Sequence, residues 1–211
     1  WVGLEYDLVN EIAARLHLRV DWQLSAWDVM IQGVRDGQFD LALDGITVNP
    51  ERAAVVDFSD PYLTSEQVML TRVDETRFTD AASFRADAAL LVGAQPGTTN
   101  FYVAVYDVLD GDEANPRVKL FDTFGASVEA LRAGDVDVVL MDSISAQGYL
   151  GANPGAFRIV GPPLGLESFA IVLRKGSGLR DPVNAALAQM TVDGTLDLLR
   201  QRWYVDYRPA P

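Results

Sequence analysis

The sequence predicts an α/β protein built from two similar halves, and three observations point there. Apolar runs alternate with amphipathic stretches along the whole chain, the pattern of strands joined by helices in mostly parallel sheets. The stretch Gly37-Gln-Phe-Asp40-Leu-Ala-Leu-Asp44 is echoed by Gly134-Asp-Val-Asp137-Val-Val-Leu-Met-Asp142. Each copy has a helix, a glycine stop, an Asp three residues later, an apolar strand and a closing acid. The copies lie 97 positions apart in a chain of 211 residues. That is too far for a solenoid repeat but suits two α/β lobes.

Leu4, Leu8, Val9, Ile12, Ala13 and Leu16 recur at helical spacing, so a first helix is expected there, with His17 as a polar residue at its end. A short strand is expected near Leu18–Leu24, then a helix from Trp27 to Arg35 stopped by Gly37. Phe39–Leu43 reads as a strand entering an Asp44-Gly45 turn. Asn49-Pro50-Glu51-Arg52 reads as a helix start, with Asn as N-cap and Pro at the first helical position. Val68–Val73 is a further strand, and the polar stretch Asp74–Asp87 reads as surface. Ala88–Ala94 is a candidate buried parallel strand, broken by Gln95-Pro96-Gly97-Thr98-Thr99-Asn100, which opens a helix. Val118–Phe121 is strand-like, a helix around Val128 and Leu131 ends at Gly134, and Val136–Met141 is a buried strand. Phe169–Leu173 is another strand, and Asp181–Met190 and Leu196–Trp203 close the chain as helices.

Composition excludes several function classes. Apolar residues are 49% and charged residues 22%, an ordinary globular balance. The net charge of −13 argues against nucleic acid, whose phosphates would meet a like-charged field. Lys119 and Lys175 are the only lysines, and no basic tract reads as a lipid-surface patch. No apolar run reaches the ~18 residues of a bilayer span, so no direct membrane insertion is expected. With no Cys and His17 as the single His, thiol chemistry and cysteine-based metal sites are excluded. A serine triad or a paired-histidine zinc site would have to be built on His17 alone. No catalytic residue, metal or cofactor is therefore assigned.

Five features converge if the two lobes face each other. Trp27 opens a helix; Gly45-Ile46-Thr47 follows one strand; Arg52 lies just inside the helix that Asn49 caps; Thr98 and Thr99 follow a second strand; Asp142 ends a third. Ligands in open α/β sheets collect beyond the carboxyl ends of strands. An Arg fork matches a carboxylate, and backbone N–H groups after Gly97 offer the same anion more donors. Asp142, a Gly45 carbonyl and the Thr47 hydroxyl suit an ammonium, and Trp27 offers a flat apolar wall. Taken singly, each has an ordinary structural reading: a surface Arg, a strand-end Asp, a helix-capping Thr, a core Trp. Together, an anion clamp and a cation clamp describe the backbone of a free α-amino acid.

The string Gly45-Ile-Thr-Val-Asn-Pro-Glu-Arg52-Ala-Ala-Val-Val-Asp57-Phe58-Ser59-Asp60-Pro61-Tyr62 closely resembles the signature of the family 3 solute-binding proteins, the amino-acid-binding components of ABC importers. Gly3-Leu-Glu-Tyr-Asp7-Leu, Trp27-Asp-Val-Met-Ile, Gly93-Ala-Gln-Pro-Gly-Thr-Thr99, Ala130–Asp142 and the Gly194–Trp203 stretch resemble further parts of it, in family order. The resemblance implies a two-lobed type II periplasmic-binding-protein fold, with two α/β lobes joined by two crossing strands near Glu66–Leu70 and Glu167–Ile171. Residues 1–67 and 170–211 would form a discontinuous first lobe and residues 68–169 an inserted second. It implies that Arg52 binds the ligand carboxylate and that Gly45 and Thr47 share the carboxylate and ammonium. Thr98 and Thr99 would meet the carboxylate, Asp142 would take the ammonium, and Trp27 would stack on the ligand side chain.

It also implies hinge closure, a membrane permease as partner, a monomer, and a periplasmic or extracellular location with or without a membrane anchor. A strand and an aromatic-containing loop are expected ahead of residue 1, leaving the first sheet a strand short here. Met141 would make the side-chain pocket more apolar. Asp44 would either favour a cationic side chain or face solvent. Two other readings stand beside delivery to a transporter: a ligand-sensing input domain of a membrane receptor or kinase, and a dehydratase acting on prephenate- or arogenate-like acids.

Overall fold

A computed structural model describes residues 1–206. The described chain divides into two compact units, one formed by Trp1–Thr64 with residues 168–206, the other by Ser65–Glu167. Each has its own sheet and its own core.

In the first unit, α1 (Leu4–Arg15) buries Leu4, Leu8, Val9, Ile12 and Ala13, the stripe its apolar spacing dictates. His17 follows with φ 55, a left-handed end to the helix. Helix α2 (Trp27–Arg35) buries Met30, Gly33 and Val34, and Gly37 turns the chain after it with φ 77. Strand β1 (Leu41–Ala42) precedes α3 (Pro50–Val55), where the Asn49 side chain accepts the Arg52 amide and Pro50 opens the helix. Strand β2 (Asp57–Phe58) follows. Near the C-terminus β8 (Val172–Leu173) and the helices α8 (Arg180–Val192) and α9 (Thr195–Arg200) complete the unit. The sheet order is β1-β8-β2, and both outer strands run antiparallel to β8. One face packs Ile171 and Leu173 against α1 and α8; the other packs Val172 with Ala42, Ile46, Met30 and Val34, as the period of two requires.

In the second unit, β3 (Leu63–Arg72, entering from the first unit), α4 (Ala81–Ala86), β4 (Val92–Ala94) and α5 (Thr99–Tyr102, continued by a wider helical turn to Val108) come first. Then follow β5 (Val118–Leu120), α6 (Phe124–Ala133), β6 (Val138–Asp142), α7 (Ser143–Ala152) and β7 (Phe157–Phe169). The sheet order is β5-β4-β6-β3-β7. Strand β4 is parallel to β5 and β6, and β3 is antiparallel to β6. Val138 and Leu140 pack into the cluster around α4 and α5, while Val139 and Met141 pack on the other face around α6. Gly134 ends α6 with φ 87, the left-handed cap that glycine takes without strain.

Several expectations are corrected. Leu18–Leu24 forms no strand; Leu18 and Leu24 are exposed, and an extended segment without a pairing neighbour has no ladder to hold it. Among the described residues, parallel pairing is confined to the second unit, because β8 returns between β1 and β2 in the opposite direction. Asp74–Asp87 is not merely surface. It holds α4, whose N-cap Asp80 forms a capping box with Ser83, and the fully buried rings of Phe78 and Phe84 meet edge to face, 5.1 Å between centroids. Met141 is fully buried, packed in the core of its own unit around α6. Among the described residues, no helix is long and apolar enough to cross a membrane.

Candidate functional site

Four of the seven residues singled out lie in the first unit, and three of those four meet through one side chain. Arg52 is only 8% exposed. The cap of α3 fixes its backbone, with the Arg52 amide donating to Asn49 Oδ1 at 2.8 Å. Its Nη1 donates to the Thr47 carbonyl at 2.9 Å. The guanidinium lies over the Trp27 ring, 5.4 Å from the centroid, within range of a cation–π contact. Thr47 bridges Phe169 in an isolated antiparallel pair, flanked by Val48 N–H to the Ser168 carbonyl and Ala170 N–H to the Ile46 carbonyl. The loop carrying Thr47 is thus laced to the sheet, and the Arg is laced to the loop.

Gly45 adopts φ 57, a left-handed turn that favours glycine. Its N–H donates to Glu5 Oε1 at 2.8 Å, so this amide is engaged within the protein. Neighbouring Asp44 is exposed at the turn, in agreement with the solvent-facing alternative. The protein mass around it still raises its carboxyl above the ordinary aspartate value through desolvation.

The other three residues share the carboxyl edge of the second sheet. Strands β4 and β6 are parallel neighbours, so the loop after β4 and the residue ending β6 emerge on the same side. Thr98 caps α5: its hydroxyl accepts the Phe101 amide at 3.1 Å and donates to the Gln95 carbonyl at 2.8 Å. Thr99 differs, because its hydroxyl oxygen is buried without a hydrogen-bond partner, an arrangement that ordinarily costs about 1–3 kcal/mol. Asn100 ties this loop to β6, donating from Nδ2 to the Leu140 carbonyl at 2.9 Å. Asp142 is the N-cap of α7, its Oδ1 accepting the Ser145 amide at 2.8 Å.

Sequence reasoning missed Gln67. It lies opposite Asp142 in the β3–β6 register, so the two side chains share one face of the sheet. Its amide Nε2 donates to Glu167 Oε1 at 2.7 Å, and its Oε1 is buried without a partner. No motif marks it; only the register reveals it. Glu5 was likewise passed over, since its link to Gly45 spans 40 positions. Among the described residues no group of three or more His, Cys, Asp and Glu is placed to hold a metal ion.

The arrangement offers an aromatic-backed Arg with a hydroxyl and backbone groups beside it, and, in the other unit, a carboxylate with a buried unpartnered hydroxyl on the neighbouring loop. These are donors for an anion and acceptors for a cation.

Comparison with known proteins agrees with this chemistry. Over 208 residues the chain is 29% identical to the L-cystine-binding protein TcyA of Bacillus subtilis, covering 96% of the chain and 72% of that protein. It is 31% identical to the glutamate-binding protein GluB of Corynebacterium efficiens, covering 92% of the chain and 68% of that protein. Its fold matches the solved structure of an ancestral arginine-binding protein bound to glutamine, with a TM-score of 0.85 at 32% identity, covering 96% of the chain and 88% of that structure. The fold class is that of the type II periplasmic binding proteins. The profile of one family runs over residues 1–206: the chain belongs to the bacterial extracellular solute-binding proteins, family 3.

Proposed function

We propose that this chain binds a free amino acid as its zwitterion and delivers it to the membrane permease of an ABC importer, without catalysing a reaction on it. The observation that carries the reading is Arg52: a buried guanidinium backed by Trp27 and aimed by the Thr47 carbonyl. A side chain held this rigidly loses little entropy on gripping a carboxylate. In this reading Arg52 takes the α-carboxylate, with Thr47 and Thr99 supplying further donors. Thr98 serves as the cap that shapes its loop. Asp142 accepts from the ammonium, with the Gly45 carbonyl as a second acceptor, and Trp27 lies against the ligand side chain.

The two charged grips belong to different units. A ligand engaging both therefore shifts the population toward the state in which both engage. Hinge closure of this kind is the established behaviour of periplasmic binding proteins as a class. The relatives bind cystine and glutamate by name, which supports an amino acid and leaves the side chain to be found. The reading includes a periplasmic or extracellular monomer. Light scattering tests the monomer.

A thermal-shift screen of the twenty amino acids with cystine, polyamines and opines tests the function. A true ligand at 1,000 times its Kd stabilises the native state by about 4 kcal/mol, a shift of several degrees. No shift with any amino acid would overturn the proposal, and turnover of prephenate or arogenate at a catalytic rate would replace it with an enzyme.

A further inference from the structure

We propose that Glu5 is a positioning residue for the Gly45–Thr47 loop, holding the Gly45 amide so that a ligand carboxylate is directed to Arg52; this rests on the amino-acid-binding reading above. Glu5 lies in the first turn of α1, far in sequence from every residue assigned to the site. One of its carboxylate oxygens accepts two donors, the Gly45 N–H at 2.8 Å and the Tyr62 hydroxyl. Tyr62 is 1% exposed and fixed from both sides. Its N–H donates to the Phe169 carbonyl at 3.0 Å, and its carbonyl accepts Arg200 Nη2 at 2.6 Å.

Phe169 closes the circuit. It is the bridge partner of Thr47, and its ring lies 3.8 Å from where a Cβ on Gly45 would stand. The contacts therefore run from Glu5 to Gly45, through the loop to Thr47, across to Phe169, by a main-chain hydrogen bond to Tyr62, and back to Glu5. Two of these links are hydrogen bonds to one carboxylate, stronger than neutral ones. Desolvation, and then the neighbouring Glu5, hold the Tyr62 hydroxyl well above the usual tyrosine range, so it stays protonated and donates.

This circuit does two things for a zwitterion. It fixes the left-handed turn at Gly45, and with it the start of the loop that carries Thr47. It also engages a backbone N–H that would otherwise compete with Arg52 for the ligand carboxylate, and it sets a negative charge behind that N–H. The carboxylate is thereby turned toward Arg52, and the Gly45 side of the loop is left to the ammonium.

The test uses the whole chain as wild type, Glu5→Ala, Glu5→Gln and Tyr62→Phe. Calorimetry measures Kd for L-arginine, L-glutamine, L-glutamate, L-cystine and L-histidine, well below each variant's Tm, and NMR measures exchange of the Gly45 amide. Glu5→Ala should weaken the best wild-type ligand by about 10- to 100-fold, the worth of a hydrogen bond to a charged group, and should speed Gly45 amide exchange. Glu5→Gln, which keeps an acceptor oxygen, should recover most of the protection and much of the affinity. Tyr62→Phe should fall between.

Unchanged Gly45 exchange in Glu5→Ala overturns the inference alone, whatever the ligand. So does an affinity within about 3-fold of wild type, less than one hydrogen bond. A wild type that binds none of the five overturns the amino-acid reading and this inference together. Should Glu5→Ala not fold, Glu5→Asp, one methylene too short to hold both donors, takes its place under the same criteria.

Discussion

The guanidinium carbon of Arg52 stands 5.4 Å from the centroid of the Trp27 ring, joining the first turn of α3 to the first residue of α2. The pair is a composite surface: the ring lies against one face of the cation, and the Thr47 carbonyl fixes Nη1 at its edge. Replacing Arg52 by Ala should weaken amino-acid binding by about 2–5 kcal/mol, because a buried carboxylate loses its partner. Arg52→Lys should recover little, since an ammonium presents neither the fork nor a flat face to Trp27. Calorimetry on both variants measures this, and near wild-type affinity in either would remove Arg52 from the site.

Asp142 caps a helix and, in the proposed reading, takes the ligand ammonium, and one substitution separates the two. Its Oδ1 caps α7, and Asn caps helices about as well as Asp. Asp142→Asn should therefore leave Tm nearly unchanged while removing the charge that attracts the ammonium, at a cost of about 2 kcal/mol or more in binding. Asp142→Ala should lose both, with about 1 kcal/mol of stability gone as well. Equal loss of Tm in both variants would show the carboxylate to be structural only.

The elements that sequence reading located share a property: their signals are local. Asn49 and Pro50 start α3, and Gly134 stops α6, through hydrogen bonds and dihedrals within a few residues. The failures are non-local. Strand β7 contains Gly161, Pro162, Pro163 and Gly165, a poor strand sequence by propensity. It survives because it lies at the edge of its sheet, where missing N–H groups face no partner. Helix α7 buries little besides Ala146, so it lacks an apolar stripe to read. The Leu18–Leu24 stretch had the composition of a strand but no neighbour to pair with. Within the candidate site, Arg52, Trp27 and Asp142 stand out in the sequence because the chemistry proposed for them is carried by the residue type. Glu5 and Gln67 do not, because their roles come from a turn and a register formed at a distance.

Thr98 and Thr99, adjacent in sequence, should respond in opposite ways. The Thr98 hydroxyl caps α5 and braces Gln95, so Thr98→Val should cost about 1 kcal/mol of stability. The Thr99 hydroxyl is buried without a partner. Removing it by the isosteric Thr99→Val should leave stability equal or higher while weakening ligand binding. Thermal melts with and without the best amino acid separate the two effects. A destabilised Thr99→Val with unchanged affinity would assign that hydroxyl to the fold instead.

The acid limit of the fold should be set in part by Glu75. This buried carboxylate is held by Arg77, through its side chain above all, with Arg72 beside it, and its pKa falls from 4.5 to about 2. Asp137 shares both arginines and also accepts the Leu91 amide at 2.8 Å, so the cluster ties β3 to β6 and to the start of β4. A carboxylate with a depressed folded pKa contributes stability that is fully present above its unfolded value. That stability drains away as the pH falls from about 4.5 toward about 2. Arg77 is half exposed, so solvent screening reduces the contribution to on the order of 1–2 kcal/mol. Glu75→Gln should therefore lower stability at neutral pH and flatten its decline between those two values. Denaturant melts of both proteins across that range measure the difference, and parallel curves would show that the acid loss originates elsewhere.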